Sequence, residues 1–254
     1  MIGPDDHLVS LTAPHSMEAE QYRVLRHGVE QKHRESGLQV LAVTSAAAGD
    51  GKTLTSVNLA GALAQSTDSR VLLIDADLRC GTVHELLRLG GGLGLVDAIL
   101  DETLVLDDVV RQLTRFNLAV IPVGRTAVAP YELLKSPRFA GLLATARAHY
   151  QYIVVDTPPV VLLPDARLIE QWIDGVLIVV AAHKTPRRLV EAALDVMSPD
   201  KMLGIVWNRG HHRAGDYGYG YYGNYGQATN GHRAGWWNTL ARRIGSRPRP
   251  SNVQ

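Results

Sequence analysis

A glycine-rich loop between an apolar segment and a helix-forming segment is the most restrictive feature of this 254-residue chain. Residues 38–44 (LQVLAVT) predict a buried strand, and residues 52–66 predict a helix directly after the loop. Gly49 and Gly51 allow backbone N–H groups to close around phosphate oxygens, and Lys52 adds a positive charge at the helix N-terminus. An ordinary glycine-rich turn is the alternative, but the order strand, loop, Gly-Lys-Thr, helix favours a phosphate-binding loop.

The same loop predicts contacts to a nucleotide and its metal ion. The hydroxyl of Thr53 is expected to bind Mg²⁺, as the Ser or Thr of such loops does. Alanine stands at position 46, where the usual first glycine would be. The residues predicted to bind the nucleotide follow one another along the loop and the first helical turn: Ala48, Gly49, Asp50, Gly51, Lys52, Thr53 and Leu54.

Short apolar segments rich in Val, Ile and Leu alternate with helical patterns along most of the chain. This alternation predicts an α/β fold, a doubly wound and mostly parallel sheet with helices on both faces. The predicted strands are 38–44, 70–74, 118–122, 152–155, 175–181 and 202–207. The predicted helices are 17–35, 52–66, 131–149, 164–171 and 186–197. Because ligands bind at the carboxyl ends of such strands, the residues that follow each strand are candidates for a site.

Carboxylates follow two of these strands. Asp75 and Asp77 come after the second predicted strand, and Asp156 comes after the fourth. Alone, such residues are typical of solvated strand ends or helix caps, but beside a phosphate loop they indicate Mg²⁺ binding and proton abstraction. The predicted metal ligands are Thr53, Asp77 and Asp156, and the predicted catalytic residues are Lys52, Asp75, Asp77 and Asp156. The sequence therefore predicts that a nucleoside triphosphate binds with Mg²⁺.

Charge and composition divide the chain near residue 209. Residues 209–254 contain seven arginines and one acid, a net charge of +6, whereas the whole chain carries +1. Five of the nine tyrosines lie within residues 217–225, among glycines and without the aliphatic residues that a core element needs. We therefore expect an N-terminal segment at 1–37, a phosphate-loop domain at 38–208 and a flexible basic tail at 209–254.

The rest of the composition predicts a cytoplasmic protein. No stretch approaches the roughly 20 uncharged apolar residues of a membrane span, because Asp, Arg or Gly interrupts every apolar run. The first ten residues lack the basic and apolar regions of a secretory signal. Cys80 is the single cysteine, so an internal disulfide is excluded.

Taken together, the motifs resemble those of bacterial tyrosine kinases of the capsular and exopolysaccharide type, whose catalytic domain is similar to P-loop ATPases of the division-site and partition type. The phosphate loop, LLIDADLR at 72–79 and IVVDTPP at 153–159 correspond to that family's Walker A, A′ and B motifs. Further matches are PYELLKSPRF at 130–139, DGVLIVV at 174–180, GIVWN at 204–208 and the tyrosine cluster. The resemblance runs from about residue 18 to residue 225.

The resemblance implies a reaction and the roles of several residues. It implies autophosphorylation with Mg-ATP, in trans between subunits, on the clustered tyrosines Tyr217, Tyr219, Tyr221, Tyr222 and Tyr225. It implies Asp75 as the base, although spacing alone does not separate Asp75 from Asp77. It also implies that Asn208 contacts adenine.

The resemblance further implies partners. Glu20, Arg23 and Arg26 resemble the family's subunit-contact motif, which implies a ring of identical subunits and an oligomerisation helix within 1–37; a solvated charged face is the alternative. It also implies a membrane polysaccharide co-polymerase as activator, which would recruit the chain to the inner face of the membrane, and a cognate tyrosine phosphatase. No nucleic-acid partner is expected.

Three other functions are alternatives. The first is a nucleotide-switched scaffold of the division-site and partition type, which hydrolyses ATP without modifying protein. Ala47 stands where those ATPases carry a signature lysine, which favours the kinase. The second is an inactive paralogue that binds nucleotide only, and the third is a nucleic-acid binder that uses the arginines of the tail.

Overall fold

Seven strands form one sheet in the computed structural model, which describes residues 4–163 and 165–210. The strands are β1 (Val40–Ser45), β2 (Val71–Asp75), β3 (Arg111–Leu113), β4 (Leu118–Ile121), β5 (Tyr152–Asp156), β6 (Gly175–Ala181) and β7 (Met202–Asn208). Their order across the sheet is β3-β4-β2-β5-β1-β6-β7. Neighbouring strands are parallel except β3 and β4, which are antiparallel. The predicted doubly wound, mostly parallel sheet is confirmed.

Helices connect the strands and cover both faces of the sheet. They are α1 (Val9–Thr12), α2 (Met17–Ser36), α3 (Lys52–Ala64), α4 (Val83–Leu86), α5 (Leu95–Leu100), α6 (Leu106–Val109), α7 (Pro130–Lys135), α8 (Pro137–His149), α9 (Asp165–Glu170) and α10 (Arg187–Val196). The predicted tail, except Arg209 and Gly210, lies outside the described residues, and so does its whole tyrosine cluster. The proposed division of the chain into three segments therefore stays a prediction.

Several elements differ from the sequence-based expectation. The short helices α1, α4, α5 and α6 are not among the predicted ones, and two further differences have a clear physical cause. The predicted helix at 131–149 is two helices, because Ser136 is extended (φ −66°, ψ 145°) and precedes a proline, which disfavours helical backbone before it. The Ser136 hydroxyl instead accepts a bond from Phe139 N–H and caps α8. Strand β3 is not predicted by the sequence. It has only three residues, none of them buried, and so short a segment shows no alternation of apolar and polar residues.

Apolar side chains of the sheet alternate between two buried layers. In β1, Val40 and Ala42 belong to the layer under α5, α7, α8 and α10, whereas Leu41 and Val43 face α1, α2 and α3. The fully buried strands β1, β2, β4, β5 and β6 therefore have apolar residues on both sides, which explains their continuous hydrophobic runs. The described part of residues 1–37 packs on α3 through Leu8, Leu11 and Val29.

Local signals set the ends of the long helix α2. The Ser16 hydroxyl accepts a bond of 3.1 Å from Ala19 N–H at its N-terminus. At its C-terminus, Gly37 adopts a left-handed backbone (φ 71°) and donates to the His33 carbonyl.

Among the helices that the structure describes, none has the length and apolarity needed to cross a bilayer.

Candidate functional site

The phosphate loop, residues 46–53, lies between β1 and α3 at the carboxyl edge of the sheet. Gly49 (φ 76°) and Gly51 (φ 96°) have left-handed backbone, a region in which a side chain would be strained. No described side chain caps the N-terminus of α3, so its first N–H groups are available to an anion. The helix dipole adds partial positive charge there, and Lys52 starts the helix. The loop has the features of an anion-binding site.

Lys52 lies between the acidic residues at the ends of β2 and β5. Its Nζ is 2.7 Å from Asp77 Oδ2 and 3.6 Å from Asp156 Oδ2. Burial lowers the pKa of Lys52, but the charges of Asp156 and Asp77 outweigh burial and raise that pKa above its ordinary value. Lys52 is therefore a cation over the whole physiological pH range.

The buried carboxylate of Asp156 organises the centre of the site. Thr53 Oγ1 donates to Oδ2 at 2.8 Å, and Ser56 Oγ donates to Oδ1 at 2.9 Å. Burial raises the pKa of Asp156, whereas Lys52 and the two hydroxyl groups act in the opposite direction. The predicted hydroxyl and carboxylate ligands of the metal ion, Thr53 and Asp156, are thus brought together.

Asp75 is fully buried beside this group. Its carboxylate accepts bonds from the N–H groups of Asp77 (3.3 Å) and Val83 (3.1 Å), in a turn that also covers it. A Cβ on Gly81 would lie 2.6 Å from Asp75 Oδ2, so the glycine permits this close approach. Burial, followed by the charge of Asp156, raises the pKa of Asp75 to about 8. Asp75 can therefore take up or release a proton near neutral pH.

The chemistry of these side chains fits Mg²⁺. The ion prefers oxygen ligands and is usually held by one or two carboxylates, substrate phosphates and water. Thr53, Asp77 and Asp156 supply one hydroxyl and two carboxylates close to Lys52. In the described part of the chain no group of three or more His, Cys, Asp or Glu could hold a metal ion alone. The residues thus fit an ion that is bound together with a nucleotide.

Asn208 lies at the other side of the phosphate loop. Its Nδ2 donates to the backbone carbonyl of Asp50 at 2.8 Å. A Cβ on Gly51 would lie 2.1 Å from this nitrogen, so only glycine allows the contact. Of the other residues predicted to bind nucleotide, Ala48 is exposed in the loop, whereas Leu54 is half-buried in the first turn of α3.

The charged residues on α2 make contacts within the chain. Arg23 pairs with Glu20 and donates to the Pro14 carbonyl at 2.7 Å. Arg26 pairs with Glu30 at 2.6 Å and donates to the Ala62 carbonyl at 3.0 Å, which fixes α2 to the end of α3. The assignment of Glu20, Arg23 and Arg26 to a subunit contact stays a prediction.

Sequence patterns do not single out four residues that contact the site: Ser56, Gly81, Lys184 and Thr185. Ser56 follows Thr53 by three residues on the same face of α3, a spacing that could have indicated it. Gly81 lies in the turn after β2 and carries no such signal. Lys184 and Thr185 approach the site only through the order of strands in the sheet. The five tyrosines of the predicted acceptor cluster lie outside the described residues.

A parallel sheet with a glycine-rich loop, a lysine at a helix N-terminus and an aspartate at the neighbouring strand end define a P-loop nucleoside triphosphatase. Accordingly, a family model described as an AAA domain matches residues 38–187. The chain thus has the fold and the loop of a nucleotide-binding protein.

Three similar proteins define the class further. The tyrosine-protein kinase YwqD of Bacillus subtilis (strain 168) is 33% identical over 219 residues, 85% of the chain and 91% of that kinase. The succinoglycan biosynthesis transport protein ExoP of Rhizobium meliloti (strain 1021) is 33% identical over 206 residues, 79% of the chain but 26% of ExoP. The solved kinase domain of Escherichia coli tyrosine kinase ETK is 28% identical, with a TM-score of 0.74 and 87% of each chain covered.

The chain belongs to the family of bacterial tyrosine-protein kinases. The 33% sequence identity extends over 91% of the length of a named tyrosine kinase, which supports kinase activity over the nucleotide-switched scaffold. The resemblance inferred from the motifs is therefore confirmed.

Proposed function

We propose that the chain is a protein-tyrosine autokinase that transfers the γ-phosphoryl group of ATP to the tyrosines of the tail. The observation that carries this proposal is the meeting of Lys52, Asp77 and Asp156, with Lys52 Nζ 2.7 and 3.6 Å from the two carboxylates. Phosphoryl transfer depends on positioning and charge neutralisation, and this group supplies both. Transfer occurs in trans, to the tail of a neighbouring subunit.

Each residue has a defined part in this reaction. Lys52 and the loop N–H groups hold the β- and γ-phosphates, and Asn208 contacts the adenine. Thr53, Asp77 and Asp156 would hold Mg²⁺, which neutralises phosphate charge when bound. The tyrosine oxygen bonds to the γ-phosphorus, the bond to the ADP oxygen breaks, and the phenol proton passes to a carboxylate.

Asp75 is the carboxylate best suited to accept that proton. With a pKa of about 8, the ionised form of Asp75 is a stronger base than an ordinary carboxylate, and its share grows as the pH rises toward 8. Asp77, in contrast, is held in an ion pair with Lys52. Asp75 is fully buried against Gly81. A tyrosine therefore reaches Asp75 only when the turn that contains Gly81 moves aside.

Phosphorylation would reverse the charge of the tail. The tail carries +6, and five phosphates would add roughly −8 to −10. We propose that unmodified tails stabilise a ring of subunits and that phosphorylation releases it. Light scattering of the phosphorylated protein beside a variant with all five cluster tyrosines changed to Phe tests this, and identical oligomers would contradict it.

The process served is the synthesis of an extracellular polysaccharide. The relative ExoP is named for succinoglycan biosynthesis and transport, which supports this part of the proposal. A membrane polysaccharide co-polymerase would activate the chain at the inner face of the membrane, and a tyrosine phosphatase would reverse the modification.

Intact mass of the purified protein, before and after phosphatase treatment, tests the autokinase. We expect a ladder of phosphoryl additions that maps to residues 217–225. A Lys52→Met variant should lose the ladder, and the five-fold Tyr-to-Phe variant should lose it while it still binds nucleotide. Absence of any ladder with ATP, Mg²⁺ and the cytosolic part of the co-polymerase would contradict the proposal.

A further inference from the structure

The phosphate loop contains an acidic residue, Asp50, which is 1% exposed. Its Oδ2 accepts a bond of 3.0 Å from Ala47 N–H, and its Oδ1 accepts one of 2.7 Å from Thr185 Oγ1. A carboxylate next to a bound polyphosphate disfavours binding, since like charges repel more strongly where water is scarce. The loop therefore needs a positive group that offsets this repulsion.

Lys52 alone offers limited charge for that purpose. Its ammonium group is already paired with two carboxylates, those of Asp77 and Asp156. Lys52 is the only lysine or arginine in the loop, residues 46–53. A second cation has to come from outside the loop.

The turn after β6 places a lysine against the loop. Lys184 Nζ donates a bond of 3.1 Å to the Gly49 carbonyl, 135 residues earlier in the chain. Thr185 Oγ1, beside it, also accepts a bond of 3.1 Å from Ala181 N–H, which fixes the turn. Strands β1 and β6 are parallel neighbours with Ser45 opposite Val179, so their carboxyl ends meet and the two loops touch.

The ammonium group of Lys184 contacts the Gly49 carbonyl, and among residues 4–163 and 165–210 no ion pair joins it to a carboxylate. Its ammonium group therefore adds positive charge at the rim of the loop. Thr185 complements it, because its hydroxyl satisfies the buried carboxylate of Asp50.

We propose that Lys184 and Thr185 are positioning residues for the nucleotide. Lys184 supplies a second positive charge for the nucleotide phosphates, which the loop itself lacks. Thr185 fixes Asp50, and through it the shape of the loop. This inference rests on the nucleotide-binding part of the proposed function and is independent of phosphoryl transfer.

Equilibrium binding of the fluorescent analogue mant-ADP to the full chain, with Mg²⁺, tests the role of Lys184. We expect Lys184→Met to raise the Kd about fivefold, in keeping with loss of one partly exposed charged contact. Added salt should reduce the difference in Kd between the wild type and Lys184→Met, because salt screens the charge of Lys184. Lys184→Arg should bind like the wild type, and so should Arg188→Met, which removes an exposed cation from α10.

Binding within twofold of the wild type by Lys184→Met would overturn this role, as would an equal loss in Arg188→Met. For Thr185, we expect Thr185→Val to weaken mant-ADP binding and Thr185→Ser to bind like the wild type. An equal loss of affinity in both variants would show that the hydroxyl group does not contribute to binding. A chain that binds mant-ADP as expected but never forms phosphotyrosine would refute the kinase proposal and leave the role of Lys184 intact.

Discussion

Asp75 and Asp156 are register partners on the adjacent parallel strands β2 and β5, and both are fully buried. Two carboxylates so placed cannot both ionise easily, since each loses hydration and repels the other. This arrangement accounts for the pKa of about 8 at Asp75 and for the raised pKa of Asp156. It also makes the stability of the protein depend on pH.

The sign of that dependence follows from the direction of the shift. A carboxyl with a raised pKa in the folded state contributes stability that is present below its unfolded pKa, near 3.8, and lost as the pH rises to about 8. Relative to Asp75→Asn, whose amide stays neutral, we expect the wild type to lose free energy of unfolding between pH 5 and pH 8. Urea unfolding of both proteins across that range measures it, and a constant difference would contradict the prediction.

Gly81→Ala should impair catalysis more than nucleotide binding. The new methyl group would lie 2.6 Å from Asp75 Oδ2 and 2.3 Å from Val123 Cγ2, so the base or its turn must move. Displacement of a reacting group by a fraction of an ångström to an ångström lowers kcat by about tenfold to a hundredfold. Autophosphorylation rate and mant-ADP affinity, measured side by side, separate the two effects.

A matched control exists on α8. A Cβ on Gly141 would meet no atom within 4 Å, so Gly141→Ala should leave the rate unchanged and stabilise the helix slightly. If the Gly81→Ala and Gly141→Ala variants autophosphorylated at the same rate, the close approach of Gly81 to Asp75 would not matter for catalysis.

Ser56→Ala should destabilise the fold. Ser56 is fully buried and its hydroxyl donates to Asp156 Oδ1, so its removal leaves one oxygen of a buried carboxylate without that donor. We expect a loss of about 1–3 kcal/mol in the free energy of unfolding. Ser36→Ala, at the exposed end of α2, is the control and should change stability by less than about 0.5 kcal/mol. Urea denaturation measures both, and equal effects would refute the argument.

Alanine substitutions at Arg26 and Glu20 distinguish the role of α2 in the stability of the subunit from a role in oligomer assembly. Arg26→Ala removes the bond to the Ala62 carbonyl and the half-buried ion pair with Glu30, and should cost about 1 kcal/mol of unfolding free energy. Glu20→Ala removes only an exposed pair with Arg23 and should cost less than about 0.5 kcal/mol. If α2 is a subunit contact, Glu20→Ala will nevertheless reduce oligomer size in light scattering; an unchanged oligomer would favour the solvated-face reading.

Much of the fold was predictable because its signals are local. Continuous Val, Ile and Leu runs marked six of the strands, and the Gly-Lys-Thr sequence marked the loop and the start of α3. Apolar periodicity continues across Ser136 and predicts a single helix there, although Pro137 is a local signal for the break. Strand β3 could not be predicted, since it exists only by pairing with β4.

The sequence by itself determined the chemistry of the site: a loop that binds phosphate, a lysine, a threonine and three aspartates at strand ends. Only the tertiary structure decided how these groups act on one another. The order β2-β5-β1-β6 joins residues 100 or more positions apart, so Ser56 reaches Asp156 and Lys184 reaches Gly49. The pKa of Asp75 likewise depends on burial and on the register between β2 and β5, which are properties of packing and not of any local sequence.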